Sequence, residues 1–270
     1  MSTTAPTGNR RRLLPGGRRS PSPKYPEHIR ADGSRDVELP LREHLRELRD
    51  RLIKAVLVIV VTTALSFFFV NQEVAILVRL AYPHKLIALS PTETFVAYLK
   101  VAFITGIAIS MPLLVYQLFR FLAPGLTRNE RRWILLSLPG VTLFFVMGLV
   151  FCYFLVLPSA LNFLLNFGQG VEVTPTITEF LNFVTRFLLA VGLAFETPII
   201  VFVLALLGVA TPKRLRKFRR WAFLLAFVIA AVITPTPDPI NQTIVAIPII
   251  VLYELGILFA RLGVRRNREA

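Results

Sequence analysis

Apolar residues run along this chain in long, nearly uncharged blocks separated by shorter polar stretches. The clearest block, residues 187–209, is 23 residues long and apolar except for Glu196, Thr197 and Pro198. That length and uniformity fit a helix crossing a bilayer. A lone acid in mid-block is expensive in hydrocarbon, so Glu196 is expected to face protein interior or a wet cavity. The bland alternative is an acid that is simply protonated, or pinned by a neighbour to hold the bundle together.

Five more blocks read the same way: residues 52–70, 96–120, 133–157, 221–233 and 240–260. Pro112 and Pro139 lie inside two of them and predict bends. Ahead of the first block, Leu41, Leu45, Leu48 and Leu52 share one helical face and charges fill the other. That predicts an amphipathic lead-in helix at the membrane surface. Ser90-Pro91-Thr92-Glu93, Thr127-Arg-Asn-Glu130 and Thr176-Ile-Thr-Glu179 are helix starts, each a hydroxyl cap with a glutamate three residues on. Phe121-Leu-Ala-Pro-Gly-Leu126 is a tight turn. Residues 71–95 and 158–179 read as long loops, with a short helix at most over 74–80 and Pro158 closing the third span.

The block at 221–233 is anomalous. Its 13 residues reach about 20 Å as a helix, against a hydrocarbon core of about 30 Å. The turn Thr234-Pro-Thr-Pro-Asp-Pro239, with Asp238, would then sit below the outer surface, as would Gln242. This predicts local thinning or a water-filled hollow, and so a concave, partly wet face near Glu196.

Composition narrows the class. With 54% hydrophobic residues and a mean hydropathy of +0.62, the chain reads as an all-α polytopic membrane protein. The single cysteine, Cys152, excludes an intramolecular disulfide and a cysteine-built metal site, and the three histidines have no paired spacing. No metal or cofactor is expected. Residues 1–37 are rich in Arg, Pro, Gly and Ser and are expected to form a disordered basic tail touching anionic lipid. Arg10-Arg11-Arg12 has no apolar segment after it to make an export signal. Residues 38–262 form the transmembrane domain and 263–270 a second basic tail.

The net charge of +15 is placed by topology rather than by nucleic acid. Of 31 Lys and Arg residues, 26 fall in 1–51, 120–132, 213–220 and 261–268, while the opposing loops hold only Arg79 and Lys85. Six crossings with both termini in the cytoplasm satisfy the positive-inside rule.

Taken in order, certain motifs resemble the TatC family, the six-span subunit of the twin-arginine protein translocase. They are His44-Leu-Arg-Glu47-Leu-Arg49, Phe121-Leu-Ala-Pro124-Gly-Leu-Thr-Arg-Asn-Glu130 and Phe195-Glu196-Thr-Pro. Thr236-Pro-Asp238-Pro-Ile-Asn-Gln242, Ala246-Ile-Pro248 and Leu252-Tyr-Glu254 complete the set. The resemblance implies a receptor in the bacterial cytoplasmic membrane for folded export substrates. By that resemblance, their twin-arginine signal peptides are expected to bind at the cytoplasmic rim through Glu47 and Glu130, with Phe121, His44, Arg49 and Pro124 in the same site. It also implies single-span partners of the TatA and TatB types, a homo-oligomer within a larger complex, and dependence on the proton gradient. Glu196, Gln242 and Asp238 match polar residues of the family's intramembrane face.

Two carboxylates suit a pair of arginines because a planar guanidinium gives two parallel hydrogen bonds to one carboxylate, and lysine offers only a point charge. From the residues alone, Glu47 also fits an ordinary i,i+4 pair with Arg51, and Glu130 a capping residue. Gln242 fits a helix–helix hydrogen bond and Asp238 a turn. A different class, a proton-coupled solute transporter with Glu196 as relay, would call for inverted repeats, and none is visible. No HExxH, GxSxG or GxxxxGK[ST] motif points to an enzyme or a nucleotide site.

Overall fold

The structure, a computed structural model, describes residues 27–29, 35–37, 41–81, 85–122, 128–166, 174–234 and 239–269. Two short strands, β1 (Glu27–Ile29) and β2 (Arg35–Val37), pair antiparallel ahead of an all-helical bundle. The expectations for Pro124 and Asp238, and for the side chains of His44 and Glu130, lie outside the described residues.

The first helix, α1 (Leu41–Val78), joins the lead-in segment and the first crossing in one continuous rod. It runs past the polar stretch Asn71-Gln72-Glu73 because Val70, Val74 and Leu77 keep the apolar period and bury against the bundle. The loop expected from residue 71 therefore begins only after a tight turn at Arg79–Ala81. Helix α2 (Pro91–Leu122) starts as expected. The Glu93 amide donates to Ser90 Oγ at 3.2 Å, and Glu93 Oε2 accepts from the Leu89 amide at 2.6 Å.

The third crossing also outruns its expected end. Helix α3 (Arg128–Phe151) passes through a wide π turn at Cys152–Val156 into α4 (Leu157–Asn166). Pro158 has no amide to donate, so it would interrupt a regular helix. The π turn, in which the Leu157 amide reaches back to Cys152 O, lets the chain absorb it without stopping.

The fourth crossing consists of α5 (Ile177–Phe195) and α6 (Thr197–Leu206), divided at Glu196. Thr176 caps α5, accepting from the Glu179 amide at 3.2 Å. The basic loop forms a short helix, α7 (Pro212–Lys217), capped by Thr211. Helix α8 (Arg219–Ile233) has only 15 residues, and α9 (Pro239–Glu269) has 31. The sixth helix thus outruns its expected block at 240–260 and continues through Gly263 into the basic tail.

Among the described residues five helices are long and apolar enough to cross a membrane: Leu45–Ala81, Pro91–Phe121, Arg131–Leu165, Ile177–Leu206 and Pro239–Arg261. At 15 residues, α8 spans about 22 Å, short of the hydrocarbon thickness of about 30 Å.

Small residues set the closest packing. Thr62 Oγ1 donates to Gly106 O at 2.8 Å, joining α1 to α2. A Cβ on Gly106 would lie 2.6 Å from Thr63 Cα, so only glycine permits this approach. At the opposite end, the Ile177 amide donates to Ile87 O at 2.9 Å and ties the two long loops together.

Candidate functional site

The charged face of α1 and the end of α2 form the rim where signal binding was expected. Glu43, Arg46, Glu47, Asp50, Arg51 and Lys54 line a groove of about 420 Å³ along one side of α1. Their spacing of three and four residues places them on a single stripe. Glu47 is about one-quarter exposed, and its Oε1 accepts from Arg51 at 2.8 Å. The same guanidinium donates to Gln117 Oε1 on α2 at 3.3 Å. Arg51 therefore bridges the two helices and occupies one oxygen of the carboxylate.

The antiparallel register positions Phe121. Arg51 meets Gln117, and eleven residues along α1 Thr62 meets Gly106, eleven residues back on α2. Carried one turn toward the basic end, this register sets Phe121 level with Glu47. Phe121 is half-buried in the last turn of α2. Arg49 points elsewhere: its guanidinium donates to Asp50 Oδ1 at 3.1 and 3.2 Å on an exposed surface. Glu130 lies in the first turn of α3. Gln117, Glu43 and Asp50 were missed by sequence reasoning. Their signal was present, since Gln117 precedes Phe121 by four residues and the two acids flank Glu47 at helical spacing.

Glu196 sits at the break between α5 and α6, two-thirds of the way along the crossing rather than at its middle. Pro198 cannot donate to Ala194 O, and Thr197 Oγ1 takes its place at 2.6 Å. Two glycines let neighbouring helices close over the break. A Cβ on Gly148 of α3 would lie 2.8 Å from Phe195, and one on Gly256 of α9 would lie 3.1 Å from Pro198 Cα. Glu196 is consequently only 4% exposed, and its Oε1 is buried without a hydrogen-bond partner. It faces protein interior, not the wet hollow that sequence reasoning also allowed.

Gln242 belongs to a different level of the bundle. Its Nε2 donates to Phe227 O of α8 at 3.0 Å. The 14 residues from Gln242 to Gly256, which packs beside Pro198, amount to about 21 Å along α9. At the basic end, Arg219 pairs with Glu254 at 2.6 Å and Tyr253 OH donates to Leu215 O at 2.8 Å, fastening α7 and α8 to α9.

These features define a helical, multi-pass membrane protein with a groove of mixed charge at its arginine-rich end. Residues 43–248 match the family model described as Sec-independent protein translocase protein (TatC). The chain is 39% identical over 238 residues to Sec-independent protein translocase protein TatC of Aquifex aeolicus, covering 86% of this chain and 98% of that one. It is 35% identical over 238 residues to the protein of that name from Escherichia coli K12, covering 85% and 92%. A crystal structure of the twin arginine translocase receptor TatC superposes with a TM-score of 0.69 at 38% identity, covering 82% of this chain and 99% of that one. The chain belongs to the TatC family.

Proposed function

We propose that this chain is the signal-peptide receptor and core subunit of a twin-arginine protein translocase, which exports folded precursors. Membership of the TatC family and the likeness to a structure described as the translocase receptor support this reading. What supports it is the rim, where Glu47 lies in an open groove on α1 and its partner Arg51 reaches Gln117 of α2, one helical turn before Phe121.

The chemistry follows from Arg51. In the free protein it holds Glu47 in a partly exposed pair, and such pairs contribute about 0.2–1 kcal/mol. An incoming guanidinium that bonds both carboxylate oxygens offers more than the resident contact, so it displaces Arg51 at little cost. Glu130 takes the second arginine. The signal's apolar segment then lies along the crossings toward Glu196.

The orientation follows from charge. The chain crosses the bacterial cytoplasmic membrane six times, with α8 as the short fifth span and both termini in the cytoplasm. Single-span partners of the TatA and TatB types and further copies of this chain complete the assembly, and the proton gradient drives it.

The test is binding of a labelled twin-arginine signal peptide to the purified full-length protein. Loss of one charge-assisted, bidentate contact should weaken binding about tenfold or more in Glu47→Gln and in Glu130→Gln. A Lys-Lys peptide should bind wild type as weakly as the Arg-Arg peptide binds either variant. Unchanged affinity in both variants would remove the site assignment.

A further inference from the structure

A second cavity, of about 320 Å³, lies between α1, α2, α3 and α5. It sits away from the charged groove on α1, near the end of α1 where the long loops join. Its wall is apolar, with Leu77 of α1, Ile104 and Ala108 of α2 and Leu188 of α5. Among the described residues, Glu73 is the one charged residue lining it. Around the cavity Ile76 and Val150 are half-exposed and Phe154 is 71% exposed, on outward faces of membrane-crossing helices. The cavity therefore opens sideways toward lipid chains, not toward bulk water.

Glu73 is only half-satisfied there. Its Oε1 accepts from Ser66 Oγ at 2.7 Å, while Oε2 is buried without a hydrogen-bond partner. None of the wall's three hydroxyls, on Thr105, Thr185 and Tyr153, bonds to Oε2. Thr185 donates to Leu181 O at 2.6 Å and Tyr153 to Ile76 O at 3.2 Å. Among the described residues no cation lies within ion-pair distance of Glu73. A carboxylate oxygen held dry and unpaired is costly, so a donor brought by an occupant would be bound strongly. Glu73 is five residues from the end of α1, about 7–8 Å along the helix, which is within reach of a headgroup at that surface.

We propose that this cavity takes an acyl chain of a phospholipid whose headgroup carries a primary ammonium, and that Glu73 Oε2 accepts a hydrogen bond from that ammonium. The apolar wall fits the chain and the free carboxylate oxygen fits the cation. A primary ammonium has three protons to donate. A quaternary choline headgroup has the same charge and no proton on nitrogen, so it cannot make the bond.

Native mass spectrometry on the full-length protein tests this, with phosphatidylethanolamine, phosphatidylcholine and phosphatidylglycerol of matched chains, and with ethanolamine alone. Wild type should hold phosphatidylethanolamine about tenfold more tightly than phosphatidylcholine. Glu73→Gln should erase that preference, and Ala108→Phe, which fills the cavity, should weaken all three lipids. Equal binding of the ethanolamine and choline lipids by wild type would overturn the proposal without recourse to any variant. So would a preference that survives Glu73→Gln. Ethanolamine competing as well as the whole lipid would overturn the acyl-chain half.

Discussion

Replacing Gly106 by alanine should separate the two helices that build the rim. A Cβ at this position would lie 2.5 Å from Thr63 Oγ1, 2.6 Å from Thr63 Cα and 2.7 Å from Thr63 N. Two of those atoms are backbone and cannot swing aside. Restoring an ordinary contact of about 3.5–4.0 Å requires α1 and α2 to part by about 1 Å. Overpacking of this kind costs about 1–3 kcal/mol. The Thr62–Gly106 hydrogen bond at 2.8 Å would stretch as well, and such interhelical bonds contribute about 0.6 kcal/mol on average. Against this, alanine in a helix gains about 0.5–1 kcal/mol over glycine, so the net effect is a loss. Gly140→Ala is the matched control, because its Cβ meets only Ile199 Cδ1, at 3.2 Å, the far end of a flexible side chain. That change should be neutral or slightly stabilising. Unfolding of the purified protein in mixed micelles reads both. A Gly106→Ala variant as stable as Gly140→Ala would refute the argument from the α1–α2 approach. The parted helices should also bind signal peptide less well, since Glu47 and Phe121 stand on opposite sides of that seam.

Two other variants probe the break in the fourth crossing. Glu196→Ala should leave peptide affinity at the rim within about twofold of wild type, because distant sites act independently, while export of a twin-arginine precursor by membrane vesicles falls. Peptide binding weaker than in Glu130→Gln would reverse the order of events. Thr197→Val removes the hydroxyl that donates to Ala194 O in place of the missing Pro198 amide, and should lower stability by about 1 kcal/mol in the same unfolding assay. No change would mean that Ala194 O is satisfied in another way.

Capping signals, which are local, match the structure, while signals that depend on packing or on competing local cues do not. The caps at Ser90 and Thr176 need only their own neighbours, and both form as expected. Pro158 looks like a stop because a proline ends a regular helix, and nothing in the sequence announces the π turn that absorbs it. Glu73 sits in a polar run that resembles a loop, yet Val70, Val74 and Leu77 carry the helical period through it. That period was legible and was outweighed by three polar residues. The burial of Glu196 depends on Gly148 and Gly256, far away in sequence, whose lack of side chains lets α3 and α9 close over the break. The Arg51 bridge to Gln117 likewise depends on a register that only the folded pair of helices fixes.

On the proposed reading, the mixed-charge rim at the basic ends of α1 and α2 receives the paired arginines of a signal peptide. A photo-reactive residue in place of Phe121, with a second variant carrying one at Thr197, tests it in membranes competent for export. A twin-arginine precursor should crosslink at position 121, and changing its arginines to Lys-Lys should abolish the crosslink. A crosslink at 121 of equal strength with the Lys-Lys precursor, or none at either position, would contradict the claim.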